Sequence, residues 1–515
     1  MGLRGFFSRW TPLTYLLVGF SILYAATLFP GVGGTVNHGD SAKFQFIGHV
    51  LGLSHPPGNP LYMLLDAAWV RIPMPFRMAT QVTILSAVFA LLTLFFVYRT
   101  LERTFGVAAG VAGTLALGTG PLFWTFATEA EVYTLNTFLL AAACHYAASF
   151  AESGKEKPFL LGALFAALGF ANHLTMAALI PAFLWLTFAR VRRGSELRLR
   201  DIGLVLLFLV FSAAFYLYIP WRFSAGSVYS EFGDTLSWAS FWGYVTAKEF
   251  QDSFGQISYV SGVRERMPAL ITIVQKQWMW PMLLVFPTAV ATLRARTRLF
   301  YVFLSLAVLG LLFFAFEYDI SDPDGFYMPV VLLLSYGIGA AMFAAERKRP
   351  RLSWFAFTTL LAIPAFMHLV LWRREDGCER VEGMDNETAV VLWDLDDLFE
   401  HIPDGAMFAV PCWHYGCTEV LNYYRYAEPV IERKHIKYVR FPNTEPDYWD
   451  TPTKVEQIEY EVARESRICT IRKPDAETWR ARHIPYDTDF RPSRDLHEGM
   501  IQGATLYCSR PQGGN

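Results

Sequence analysis

This chain has little charge. Charged residues make up 17% of its 515 residues and hydrophobic residues 53%, whereas a typical soluble domain is about 25% charged. The shortage is local, because the apolar segments fall between residues 11 and 371, while residues 373–515 have the composition of a soluble domain. No basic tract indicates a nucleic-acid partner. The composition therefore excludes a wholly soluble protein and predicts a membrane domain followed by a soluble one.

The apolar runs are long enough to cross a bilayer repeatedly. A spanning helix needs about 20 apolar residues, and the sequence predicts about eleven spans, of which the fifth and sixth are short enough to form a hairpin. The predicted spans are residues 12–30, 79–98, 106–123, 132–150, 158–172, 174–190, 202–219, 269–293, 299–316, 327–345 and 353–371. The first run lacks the short apolar core and small-residue exit of a signal peptide, so we expect it to be retained.

Lys and Arg mark every second loop. Basic clusters at residues 190–200, 294–298 and 347–351 alternate with loops that hold acidic residues. Since positively charged loops stay on the cytoplasmic side, we predict a cytoplasmic N-terminus and an extracytoplasmic C-terminus. The predicted organisation is a transmembrane domain, 1–372, with outer loops at 31–77 and 220–268, and an extracytoplasmic domain at 373–515.

The soluble tail contains most of the cysteine. Five of the six cysteines lie there, on the side where disulfides can form, and an odd number leaves at least one unpaired. Residues 406–410 and 437–441 predict β-strands, and residues 454–466 predict a helix. We therefore expect a small α/β domain, in which no catalytic motif is evident.

The loop after the first span holds the first candidate for chemistry, Asp40. A flexible run, 31–34 (Gly-Val-Gly-Gly), precedes it. At the membrane surface, the Asp40 carboxylate can accept a proton from an attacking hydroxyl. The alternative is that Asp40 is the N-cap of the amphipathic run that follows; the two interpretations are compatible.

A proline-rich turn, 55–60 (His-Pro-Pro-Gly-Asn-Pro), follows in the same loop. Its prolines fix the backbone and push the preceding residues into extended geometry. They hold His55 in one pose, from which it can donate to a phosphate or a sugar hydroxyl. The alternative is a turn histidine with no role. His38 and His49 are weaker candidates.

Polar residues also gather where later spans reach the predicted outer side. Glu129 and Glu131 precede the fourth span, and Asn136 lies one turn inside it, where a polar group is costly and usually functional. Asn172 and His173 lie between the fifth and sixth spans. The alternative for both glutamates is that they are simple interfacial charges within a belt of aromatic residues, and for Glu131 the two interpretations have equal weight.

Four cations, Arg222, Lys248, Arg264 and Arg266, stand out in an outer segment otherwise poor in basic residues. An anionic lipid phosphate needs such partners, and Arg can bind it through two parallel hydrogen bonds. Solvated surface charge is an equally good interpretation. The acidic run 318–327 lacks the full loop and terminal glutamate of a calcium site, so we expect no metal ion.

These motifs together resemble one known family. Residues 39–44 (Gly-Asp-Ser-Ala-Lys-Phe) and 55–62 (His-Pro-Pro-Gly-Asn-Pro-Leu-Tyr) are similar to the signature of the protein O-mannosyltransferase-like family of GT-C glycosyltransferases. Residues 131–136 (Glu-Val-Tyr-Thr-Leu-Asn) and 169–173 (Gly-Phe-Ala-Asn-His) fit its later motifs. The four blocks occur in order, and the resemblance covers residues 12–345.

The resemblance implies a sugar donor carried on a polyprenyl phosphate and inverting transfer without a nucleotide sugar or a cofactor. It implies that Asp40 is the reactive acid of the first outer loop and that His55 lies in the matching turn. Similar enzymes have Gly-Glu where this chain has Ala42-Lys43. That change indicates a different acceptor or a lysine that contacts the donor phosphate, and it puts a second acidic role in doubt.

We therefore expect an α-helical polytopic membrane protein of GT-C type with a small C-terminal α/β domain. As a glycosyltransferase it would move a hexose such as mannose from a polyprenyl phosphate to a hydroxyl of a protein, lipid or glycan, with Asp40, His55 and Glu131 as catalytic residues. The substrate-binding candidates are Lys43, His38, Asn136, Asn172, His173, Arg222, Lys248 and Arg264.

Two other functions stay open. A transporter or flippase of a lipid-linked glycan would place charged or helix-breaking residues near mid-membrane in paired halves, whereas the polar residues here gather on one face, which favours an interfacial enzyme. A non-catalytic assembly protein would tolerate replacement of Asp40. The short loops and the absence of an evident retention signal favour a bacterial inner membrane over the endoplasmic reticulum.

Overall fold

The computed structural model describes residues 11–29, 31–34, 38–253, 259–283, 285–318, 324–374, 396–410, 415–440, 468–470, 491–495 and 505–508. The chain divides into two compact units, the first containing residues 1–29 and 47–371 and the second residues 30–46 and 372–515. The beginning of the predicted outer loop thus groups with the C-terminal residues. The side chain of His38, residues 319–323 of the acidic run and the predicted helix at 454–466 lie outside the described residues.

The first unit is built from α-helices and shares helix α2 with the second unit. The helices are α1 Pro12–Ala26, α2 His38–Val50, α3 Pro60–Trp69, α4 Met78–Phe105, α5 Val107–Gly118, α6 Pro121–Thr128, α7 Tyr133–Ser153, α8 Glu156–Phe170, α9 Ile180–Val191, α10 Leu199–Ala214, α11 Tyr218–Ser224, α12 Trp238–Val245, α13 Tyr259–Leu283, α14 Phe286–Arg296, α15 Arg298–Glu317, α16 Asp324–Glu346 and α17 Pro350–Arg374. Short 3-10 turns occur at Leu174–Leu179, Phe215–Leu217 and Lys248–Ser253.

Among the described residues, each of the eleven predicted spans contains helix, but not every one is a single straight helix. Six of the described helical segments are long and apolar enough to cross a membrane, and a seventh qualifies if α5 and α6 count as one span. These two helices are bent by 67°, because Gly120 has extended backbone angles and Pro121 begins a new helix. The predicted span 106–123 is therefore broken, and 269–293 is likewise divided between α13 and α14.

Small residues allow the central helices of this unit to approach closely. Helix α5 packs against α4 and α16, and a Cβ atom on Gly339 of α16 would lie 2.8 Å from the carbonyl oxygen of Ala109 in α5. A residue with a side chain does not fit there, which is typical of helix pairs in membranes. This packing fixes α16, whose first turn contacts the candidate site.

The second unit contains a mixed β-sheet. Its described elements are α18 Asp396–His401, β1 Met407–Val410, α19 Tyr415–Tyr426, α20 Val430–Arg433, β2 Lys437–Arg440, β3 Ile468–Thr470, β4 Arg491–Asp495 and β5 Thr505–Cys508. The strand order is β2-β1-β3-β5-β4; β1 is parallel to β2 and β3, whereas β5 is antiparallel to β3 and β4. The strands predicted within 406–410 and 437–441 are confirmed at Met407–Val410 and Lys437–Arg440. Cys469 in β3 is disulfide-bonded.

Candidate active site

Asp40 lies in the first turn of α2, paired with a buried lysine. The Lys43 Nζ atom donates to Asp40 Oδ1 at 2.8 Å, and the side chains of Lys43 and Asp40 are 0% and 18% exposed. Because α2 begins at His38, Asp40 is inside the helix rather than its N-cap, although a negative charge still favours that end. The structure thus gives Lys43 a defined partner, the candidate base itself.

Gln45 fixes the glycine run before Asp40, a role that sequence reasoning missed. Its Oε1 atom accepts from Gly33 N at 2.7 Å, and its Nε2 atom donates to the carbonyl oxygens of Gly31 and Gly33 at 3.3 and 3.4 Å. A buried amide that satisfies three backbone groups holds an otherwise flexible run in one conformation. Nothing in the local pattern distinguishes Gln45 from any other residue of an amphipathic helix.

The C-terminal half of α2 is fixed to α3 through a buried carboxyl group. Gly48 N donates to Asp66 Oδ2 at 3.1 Å, and burial raises the pKa of Asp66 well above its usual value. At the end of α2, Arg222 donates through Nε to the carbonyl oxygen of Leu51 at 2.8 Å, a favourable position for a cation. Sequence reasoning missed Asp66, although it is the one acid in the apolar segment that forms α3.

A Gly48→Ala substitution is expected to destabilise this junction by about 1–3 kcal/mol. A Cβ atom there would lie 2.2 Å from Asp66 Oδ2 and 2.9 Å from Ala67 N, so α2 and α3 would have to separate. Thermal unfolding of the purified protein in detergent measures the change. Gly203→Ala in α10 is the matched control, since its Cβ atom meets nothing within 4 Å. Equal melting temperatures for Gly48→Ala and wild type would contradict the expectation.

The His55 turn is held by contacts from distant parts of the first unit. Tyr244 OH donates to the carbonyl oxygen of Ser54, Gly58 N donates to the carbonyl oxygen of His55 at 2.8 Å, and the rings of His55 and Phe250 meet edge to face at 6.3 Å. These contacts restrain the turn that carries His55, as the three prolines predict.

Hydrogen bonds join the predicted site residues Asn136 and His173 through Thr175. Asn136 Nδ2 donates to Thr175 Oγ1 at 3.1 Å, and Thr175 Oγ1 lies 2.9 Å from His173 Nδ1. Because Thr175 N also donates to His173 Nδ1, the imidazole proton belongs on Nε2. Burial, and next the charge of His55, lowers the pKa of His173 to about 4. His173 is thus a neutral donor, and its ring packs 5.6 Å from that of Phe326 in α16.

The side-chain amide oxygens of Asn136 and Asn172 (Oδ1) are buried and have no hydrogen-bond partner among the described residues. Asn172 uses its Nδ2 atom to donate to the carbonyl oxygen of Val132 at 3.3 Å. Leu61 N donates to the carbonyl oxygen of Ala171 at 3.0 Å, which brings the start of α3 to the same place. A buried acceptor without a hydrogen bond costs free energy, so a polar molecule that donates to these oxygens would bind more tightly.

Glu129 and Glu131 are 2% and 1% exposed, so both are buried rather than exposed as simple interfacial charges would be. Glu131 N donates to Ser86 Oγ at 3.1 Å. Burial first, and then the charges of Asp66 and Glu131, raises the pKa of Tyr62 well above its usual value. Glu131, Ser86 and Tyr62 of α3 therefore lie in one buried cluster.

The cations predicted to bind the donor phosphate have different surroundings in the structure. Arg222 donates a hydrogen bond to the end of α2, whereas the side chains of Lys248 and Arg264 are exposed. A phosphate-binding role for these residues stays a prediction. The residues that the structure brings together in the first unit are His55, Asn136, Asn172 and His173, and in the second unit Asp40 and Lys43.

His173 gives this site a pH-dependent stability. Its folded pKa of about 4 lies below the ordinary 6.5, so its contribution is complete above pH 6.5 and is lost as the pH falls towards 4. The free energy of unfolding should fall by up to about 1.4 kcal/mol per pH unit in that window.

Melting temperatures of detergent-solubilised protein between pH 7.5 and 4.5 measure this loss. The variant His173→Gln should show a flatter profile, whereas His435→Gln, which replaces an exposed histidine of the second unit, should match wild type. Parallel profiles for all three proteins would contradict the assignment.

Comparison with known proteins finds similarity to one family over part of the chain. Residues 40–196 match the model of the protein O-mannosyl-transferase TMEM260 N-terminal domain. The resemblance to protein O-mannosyltransferase-like GT-C enzymes is confirmed. Asp40, Lys43, His55, Glu131, Asn136, Asn172 and His173 all lie inside the matched segment. His38, Arg222, Lys248 and Arg264 lie outside it.

Two curated relatives carry that name. Protein O-mannosyl-transferase TMEM260 of Mus musculus is 32% identical over 193 residues, 35% of this chain and 27% of the relative. Its counterpart in Dictyostelium discoideum is 24% identical over 195 residues, 34% of this chain and 23% of the relative. The chain spans about a quarter of the length of these relatives. Neither supports the expected bacterial inner membrane.

Solved structures share the fold of this protein. Crystal structures of ArnT from Cupriavidus metallidurans, one apo and one bound to undecaprenyl phosphate, match with TM-scores of 0.59 and 0.58 at 12% identity. Each match covers 97% of this chain and 99% of ArnT. The protein is therefore an integral membrane protein with the α-helical GT-C glycosyltransferase fold.

Proposed function

We propose that this protein is a membrane glycosyltransferase that moves a hexose, mannose in the first instance, from a polyprenyl phosphate to an acceptor hydroxyl. The observation that carries the proposal is the Asp40–Lys43 pair, which lies within the segment that matches the O-mannosyl-transferase family. The names of the curated relatives support mannose. Undecaprenyl phosphate on ArnT, a protein of the same fold, supports the lipid carrier.

The proposed reaction is a single inverting displacement. The acceptor oxygen forms a bond to the anomeric carbon of the sugar as the bond from that carbon to the phosphate oxygen breaks. The acceptor proton passes to the Asp40 carboxylate, and the electron pair leaves with the polyprenyl phosphate. Lys43 holds one carboxylate oxygen at 2.8 Å, which orients the base. The donor brings its own leaving group, so the reaction needs no cofactor.

The polar cluster of the first unit supplies groups suited to a phosphosugar. Neutral His173, with its proton on Nε2, and the neighbouring His55 can donate to phosphate or hydroxyl oxygens. The buried Oδ1 atoms of Asn136 and Asn172 can accept from sugar hydroxyls. We propose substrate-binding roles for these residues and for Glu131 a supporting role in the buried cluster with Ser86 and Tyr62.

A donor-selection assay tests this function. Purified protein in lipid nanodiscs is offered radiolabelled mannose either on a polyprenyl phosphate or on GDP, together with a membrane extract that contains acceptors. We expect label in the acceptors from the lipid donor alone. Transfer from GDP-mannose but not from the lipid donor would contradict the proposed polyprenyl-phosphate donor. Movement of intact donor across vesicles without transfer would favour a flippase, and neither activity would favour an assembly protein.

A further inference from the structure

The end of the first unit that carries the arginine clusters contains two open grooves that the proposed reaction does not use. One, of about 890 Å³, lies between α14 and α16 and is walled by small apolar residues such as Ala291, Ala295 and Ala344. The second, of about 690 Å³, lies beside it against the start of α5. The two grooves share Arg296, Phe343 and Arg347.

The shared residues form a cationic centre on an aromatic ring. The guanidinium groups of Arg296 and Arg347 lie 4.9 and 5.4 Å from the centroid of the Phe343 ring, and Lys348 lines the larger groove. Arg296 Nε donates to the carbonyl oxygen of Thr104 at 3.3 Å, which fixes its side chain. Within the described part of the chain, none of the three cations forms an ion pair.

Cations gathered on one ring without an ion-pair partner among the described residues repel one another, so an anion between them would be stabilised. Planar guanidinium groups match phosphate oxygens through paired hydrogen bonds. The carboxylate that lines the smaller groove, Glu346, accepts from Trp354 Nε1 at 3.3 Å.

The position of the grooves identifies the source of the phosphate. They lie where α16 ends and α17 begins, and both helices include segments apolar enough to span a membrane, so the cations stand at headgroup level. Trp354, which lines the smaller groove, is typical of that level. The alanine walls can receive an acyl chain. Basic pockets between spanning helices recognise anionic lipid headgroups.

We propose that these grooves bind an anionic phospholipid, with its phosphate between Arg296 and Arg347 and an acyl chain along Ala291 and Ala295. This site is distinct from the candidate active site. Helix α16 carries Phe326, the neighbour of His173, in its first turn and Phe343 in its last, and its 23 residues extend over about 33 Å.

Native mass spectrometry of the full chain in detergent tests the site. Phosphatidylglycerol is titrated against phosphatidylcholine, and wild type should retain phosphatidylglycerol preferentially. The variant Arg296→Gln/Arg347→Gln should bind it about 25-fold more weakly, from roughly a factor of five for each charge. The control Arg294→Gln/Arg298→Gln removes the same charge from residues outside both grooves and should retain most of the affinity.

Two further measurements make each outcome decisive. The variant Arg296→Lys/Arg347→Lys keeps the charge and loses the planar fork, so it should fold as wild type and bind with intermediate affinity. Equal losses in the Gln variant and its control would overturn the site in favour of general surface charge. Displacement of the lipid by millimolar inorganic phosphate would show a free-phosphate site instead, and competition by polyprenyl phosphate would show that the donor occupies it.

Discussion

Asp40→Asn is expected to lower the rate of sugar transfer by about two to four orders of magnitude. The amide keeps the size of the side chain but cannot take the acceptor proton. Initial rates of transfer from labelled polyprenyl-phosphate mannose, at saturating donor and matched protein concentration, measure the loss. The matched control is Asp234→Asn, which makes the same chemical change at an exposed position and should leave the rate within a factor of two or so.

The Lys43 pairing has to be separated from the chemistry in this experiment. Asp40→Asn also removes the acidic partner of a lysine whose side chain is 0% exposed, so part of any loss can come from misfolding. Asp40→Asn/Lys43→Met removes both charges and should melt closer to wild type than Asp40→Asn while remaining inactive. Recovery of transfer in the double variant, or full transfer by Asp40→Asn, would remove Asp40 as the base and point to Glu131 or His55.

Lys43→Met is expected to give the second large effect. Removing one partner of a buried ion pair typically costs about 3–5 kcal/mol, and here the pair is nearly enclosed, with Asp40 18% exposed. Transfer should also fall, because the carboxylate loses the ammonium group that orients it. Lys157→Met is the control, since Lys157 is exposed and its replacement should change stability by less than about 0.5 kcal/mol.

A double-mutant cycle over Asp40 and Lys43 measures how far the two act together. Melting temperatures and transfer rates are compared for wild type, the two single variants and the double variant. The structure predicts that the summed single losses of stability exceed the loss in the double variant by more than about 1 kcal/mol. Additive losses would contradict a functional ion pair, and an active Lys43→Met variant would show that the base needs no orienting cation.

The membrane helices could be predicted because their signal is local. Each predicted span, such as 79–98 or 299–316, is a run of apolar residues bounded by charge, and each contains helix among the described residues. The bend between α5 and α6 also has a local sequence signal, Gly120 followed by Pro121, but the run of apolar residues continues across it. A prediction based on the length of the apolar run therefore gives one span, although the backbone forms two helices.

The partners of the site residues were not predictable, because they come from distant parts of the chain. Thr175 meets Asn136 across 39 positions, and Arg222 meets Leu51 across 171. Asp66 meets Gly48 from the next helix. No periodicity within one segment encodes such pairs, since they depend on which helix ends the packing places side by side. For the same reason, the sequence suggested the wrong environment for Glu129 and Glu131.

By itself the sequence determined the membrane-embedded helical architecture, strands β1 and β2, and the polar residues of the family motifs. These follow from hydropathy and short patterns, which act within one helix or strand. Only the tertiary structure decided that Lys43 pairs with Asp40, that His173 is neutral, that Arg222 caps α2, and that two arginines share the Phe343 ring. Burial and charge pairing depend on neighbours in space, and these neighbours exist only once the helices have packed.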